Sequence, residues 1–137
     1  MRKYCSATPE SYFARSPYSY EVTHYDAFHT RVELDKTPRV APGDVRRVTL
    51  TFLCPDYIQE SRKLQLRLLL PEGWRAGSYQ KTVSLMYPQP PHGIYGDASA
   101  SFEITAGEHV EAVNRLYMEV TSPTLSYPVI VPIILIG

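Results

Sequence analysis

Residues 64 to 74, Leu-Gln-Leu-Arg-Leu-Leu-Leu-Pro-Glu-Gly-Trp, leave the backbone few choices. Leu64, Leu66, Leu68 and Leu70 recur at every second position, and side chains at that spacing share one face of an extended chain. Pro71 ends the ladder by removing a donor, Gly73 permits a turn, and Trp74 is left to lie over the strand ends. Six other segments read the same way. Together the seven predict a two-sheet β-sandwich.

From residue 27 onward the pattern has period two. Phe28, Thr30, Val32 and Leu34 alternate with His29, Arg31 and Glu33. A turn set by two prolines and a glycine follows over residues 37–44. Val48, Leu50, Phe52 and Cys54 then face in, while Arg47, Thr49 and Thr51 face out. The Leu64 strand is third, and a short fourth strand covers about Gln80 to Met86. Ala98, Ala100, Phe102 and Ile104 form the fifth inward row. Leu116, Met118 and Val120 form the sixth, and Val129, Val131, Ile133 and Leu135 the seventh. Short strands with turn signals between them and no helical pattern predict an all-β, seven-stranded immunoglobulin-like sandwich, with a barrel as the competing closure. By analogy, strands one, two and five make one sheet and strands three, four, six and seven the other.

The chain divides near residue 26. Residues 1–26 hold five of the 11 tyrosines and almost no aliphatic side chains, so they cannot form a core of their own. They read as an irregular Tyr-rich arm, with residues 27–137 as the sandwich domain. The last strand carries Pro128 and Pro132, which cannot donate to a ladder, and therefore belongs at an edge. It is apolar on both faces, because Ile130, Ile134 and Ile136 occupy its nominal outside. That outer face calls for a cover: the arm, with Tyr12, Tyr18 and Tyr20, a second copy of the chain, or a neighbouring domain.

A length of 137 residues suits one domain with a buried core. Basic and acidic residues number 14 each, so no net charge steers the chain onto nucleic acid or an anionic membrane. No window approaches the roughly 18 apolar residues of a membrane helix. Met-Arg-Lys-Tyr-Cys-Ser at the start has no apolar block behind it, so no secretory signal is read there and cytoplasm is the default location. Cys5 and Cys54 are too few for a disulfide scaffold, and Cys54 reads as a buried thiol.

Two segments carry a family resemblance. Val40-Ala-Pro-Gly-Asp-Val-Arg-Arg-Val-Thr-Leu-Thr-Phe52, followed by Leu64 to Trp74, resembles the NEW3-type (alpha-galactosidase- or NPCBM-associated) domain. That module shows a Pro-Gly-Glu/Asp turn, an alternating strand, then a strand closing in Leu-x-x-Pro-x-Gly-Trp. The resemblance extends loosely over residues 28 to 136, through Ser101 to Thr105 and Leu116 to Thr121. Residues 87–97 depart from it, with a Pro-rich loop in place of a short Pro-Gly turn, and so do residues 107–112. The resemblance implies an immunoglobulin-like accessory domain of a bacterial enzyme acting on glycosides or glycans, without chemistry of its own.

The residues give no catalytic constellation. His24, His29, His92 and His109 match no metal spacing, and no phosphate cradle or nucleophile elbow is present, so neither metal nor cofactor is expected. Glu108 and Glu111 read as a polar turn rather than a glycosidase pair. Two readings from different classes follow. The first is a non-catalytic accessory domain that packs on a catalytic or partner domain, or on a second copy. The alternative is a carbohydrate-binding module using Trp74, Tyr79, Tyr87, His92 and Tyr95 in loops at the sheet ends, where aromatic faces could stack on sugar rings. For Trp74 a core plug is preferred over a ligand platform.

Overall fold

The computed structural model describes residues 16–23, 29–53, 62–85, 97–123, 125 and 127–137. Nine strands run through them: β1 (Tyr18–Thr23), β2 (His29–Leu34), β3 (Val45–Leu53), β4 (Arg62–Leu69), β5 (Arg75–Ala76), β6 (Gln80–Leu85), β7 (Asp97–Thr105), β8 (Val113–Thr121) and β9 (Val129–Ile136). No helix occurs among the described residues. The strands form two antiparallel sheets, ordered β1-β2-β3-β7-β5 and β6-β4-β8-β9. The seven strands read from period two fall into the two sheets as expected. β9 lies at an edge, as its prolines require.

The count of seven is corrected to nine. β1 lies within the segment read as an irregular arm, and pairs along its length with β2, Tyr18 opposite Leu34 through Thr23 opposite His29. Its Tyr-Ser-Tyr-Glu-Val-Thr sequence does alternate, but over six residues and with tyrosine where other strands have aliphatics. The second addition, β5, is a two-residue pairing of Arg75 and Ala76 with Thr105 and Ile104.

Burial follows the alternation. Val32, Val48, Leu50, Phe52, Leu64, Leu116, Met118, Val120, Val131 and Ile133 are wholly buried between the sheets. Each buried aliphatic or aromatic side chain contributes about 1.5–3 kcal/mol, so these rows dominate the stability of the two layers. Two turns of one design hold an end of the sandwich. Asp44 N–H donates to the Ala41 carbonyl (3.0 Å), and Trp74 N–H to the Pro71 carbonyl (3.1 Å). Their third residues, Gly43 and Gly73, have φ of 85° and 84°, the left-handed conformation a type II turn requires.

Arg46 is the inward residue of β3 that the hydrophobic pattern did not single out. It is only 8 % exposed. Its guanidinium donates to the carbonyls of Thr37 (2.8 Å), Val45 (2.9 Å) and Arg39 (2.8 Å). Those bonds position residues 37–40 to leave the first sheet and dock on the edge of β9. There Val40 N–H donates to the Ile136 carbonyl, and Ile136 N–H to that of Pro38.

Candidate functional site

The outer faces of the two sheets differ in kind. On the five-stranded sheet the outward residues, apart from Val45 at the start of β3, are mainly charged or hydroxylic, and several pair with one another. Arg47 meets Glu103 at 3.2 Å, Arg31 meets Glu33 at 3.2 Å, His29 meets Glu21 at 3.2 Å, and the Thr49 and Ser101 hydroxyls bond at 2.9 Å. His29 thus sits on the solvent side of its strand, as alternation requires.

On the four-stranded sheet the outward residues divide into two halves. Toward β6, the register aligns Thr82, Gln65 and Thr121 in one row and Gln80, Arg67 and Glu119 in the next, with Arg67 Nε 3.1 Å from the Glu119 carboxylate. These residues line a shallow concavity of about 540 Å³. Toward β9 the face becomes richer in apolar residues, with the exposed Arg115 standing among them opposite Ile134. Leu69, Tyr117 and Pro132 form a row across three strands, and Ile134 and the Val113–Ile136 pair continue it. Ile130 and Val113 are each 45 % exposed, while Leu69 and Tyr117 are also exposed. Ile134 and Ile136 are half-buried. From strand spacing and rise the region measures about 14 by 20 Å, roughly 300 Å², a footprint that also takes in Arg115 and Glu119.

The Tyr-rich segment reaches this strand. Tyr20 points inward from β1, and its hydroxyl donates to the Pro132 carbonyl on the β9 edge (2.6 Å). Burial raises the Tyr20 pKa above the usual tyrosine value, and a backbone hydrogen bond at Ile134 partly opposes it. Tyr18, also on the inward side, is 42 % exposed.

Of the residues expected to meet a sugar, Trp74 is withdrawn. It is 5 % exposed, belongs to the core, and donates its indole N–H to the His109 carbonyl (3.2 Å). A ring face in the core cannot stack on a ligand, so Trp74 is a plug. Tyr79 stays exposed, and its hydroxyl accepts the Ala76 N–H (3.1 Å). Tyr87, His92 and Tyr95 lie outside the described residues, as do Tyr12, Phe28 and Cys54. Near Trp74, the two glycine turns and residues 105–109 border a concavity of about 710 Å³. Its charged residues, Glu72, Arg75 and Glu108, are of mixed sign. His109 itself is exposed and lies 3.2 Å from the Glu111 carboxylate.

Asn114 was not singled out from sequence. At 4 % exposure its amide is fully used, donating to the Glu111 and Leu135 carbonyls and accepting the Glu111 N–H. It ties the loop before β8 to β9. No group of three or more potential metal ligands occurs among the described residues. No family model matches the chain, and no curated protein matches its sequence.

Proposed function

We propose that this chain is a non-catalytic, immunoglobulin-like accessory domain that packs, through the outer face of its four-stranded sheet, on a catalytic or partner domain. The NEW3-type resemblance suggests that the partner belongs to a bacterial glycan- or glycoside-acting protein. The observation that supports this reading is the contrast between the two outer faces, one knit by ion pairs and hydroxyls, the other carrying exposed apolar side chains on β9 and at Leu69, Tyr117 and Val113. The immunoglobulin-like reading draws on the grouping of β2, β3 and β7 against β6, β4, β8 and β9.

The size of the patch argues for the kind of occupant. Roughly 300 Å² on each side falls short of the ~800 Å² per partner of a stable interface between free proteins. It meets the lower end of contacts between domains of one polypeptide or assembly, where tethering raises the effective concentration. The test is site-specific photocrosslinking in the native host. A photoreactive side chain at position 130 or 117 should capture one defined partner domain, and the same group at position 103, on the other outer face, should not. Equal capture from both faces, or none from position 130, contradicts the proposal.

A further inference from the structure

The two edges of the four-stranded sheet are treated differently. On β9 the backbone groups facing away from β8 are obstructed at Pro132 and Ile136. Pro132 has no N–H, its carbonyl accepts the Tyr20 hydroxyl, and Ile136 is paired with residues 38–40. Such devices keep an edge from pairing with another chain. On β6 the Leu68 N–H bonds to the Tyr79 carbonyl. By alternation the backbone groups of Lys81 and Val83 also face β4, and those of Gln80, Thr82 and Ser84 face the rim. Among the described residues the Ser78 hydroxyl, resting on the Gln80 carbonyl, is the rim contact there. Lys81, an inward charge, folds across the gap. Its ammonium donates to the Ser101 carbonyl and lies 5.0 Å from the Phe102 ring centroid, which turns it away from the rim.

We propose that β6 pairs antiparallel with β6 of a second copy, about a two-fold axis at Thr82. The strand is self-complementary in that register. Thr82 meets its own mate, Gln80 meets Ser84 and Lys81 meets Val83, so no like charges stand directly opposite. Two hydrogen bonds at each of the three rim pairings make about six across the junction. A two-fold perpendicular to the sheet keeps both outer faces on one side, which sets the two apolar patches about 30 Å apart, by strand spacing, on one eight-stranded surface. The pairing concerns the edge and stands independently of what covers the face.

Sedimentation equilibrium over a concentration series tests it. The wild-type chain should dimerise with concentration. Thr82→Pro removes the central donor, which no hydrogen bond among the described residues uses, and should give a monomer with an unchanged circular dichroism spectrum. Thr82→Lys, placing two ammoniums opposite each other, should do the same if Pro disturbs the strand. A monomer at every concentration up to about 1 mM overturns the inference. So does a dimer that survives both substitutions and dissolves on Ile130→Asp, which would place the contact on the apolar face.

Discussion

Arg46 and Tyr20 show how single polar groups join the two layers. Arg46→Ala leaves three carbonyls without the donor that serves them, two of them on residues 37 and 39. Each unsatisfied group costs about 1–3 kcal/mol where water cannot reach it, and partial hydration of this rim reduces the sum. We expect a loss of about 3 kcal/mol in urea denaturation, with Arg46→Lys intermediate because an ammonium cannot span three acceptors. Tyr20 predicts a pH effect. Its folded-state pKa is raised, chiefly by burial, so the folded protein holds this proton more tightly than the unfolded chain. The contribution is complete below the ordinary tyrosine pKa of about 10 and is lost as pH rises through the folded value. Tyr20→Phe should therefore unfold less steeply with pH above about 10 than the wild type, as followed by circular dichroism. Identical alkaline profiles would contradict the burial of this hydroxyl.

Elements were legible where their inward rows are aliphatic and long. β3, β4, β7, β8 and β9 each place three or more apolar residues on one side, and period two alone marks them. β1 was missed because its inward residues are Tyr18, Tyr20 and Val22, all partly exposed, in a stretch whose composition suggested an arm. β5, two residues long, has no period to read. Arg46 escaped notice because a charged residue extends the Val48, Leu50 and Phe52 row, and its partners are main-chain carbonyls that sequence does not display. Trp74 was legible as a plug because Pro71 to Gly73 turn the chain over the strand ends. That turn makes its own prediction. Gly73→Ala forces a Cβ into the left-handed region, although nothing lies within 4 Å of the added atom. The cost should be about 1 kcal/mol in thermal unfolding, arising from backbone conformation alone. A neutral result would mean that the turn can relax to another type.

At the scale of the whole molecule, the aliphatic rows close two sheets and leave one outer face partly apolar. The apolar half of that face was foreseen on β9 from Ile130, Ile134 and Ile136. Its extension to Leu69, Tyr117 and Val113 depends on register between strands distant in sequence, which alternation within each strand does not supply. Tyr20 covers part of the β9 edge but leaves Ile130 exposed. The direct test is the alkylation rate of a cysteine placed at position 130, followed by peptide mass spectrometry, with Glu103→Cys as the control. In the isolated chain both should react rapidly. In the native assembly position 130 should be protected at least tenfold while position 103 is unchanged, and equal reactivity of both positions there would contradict the account.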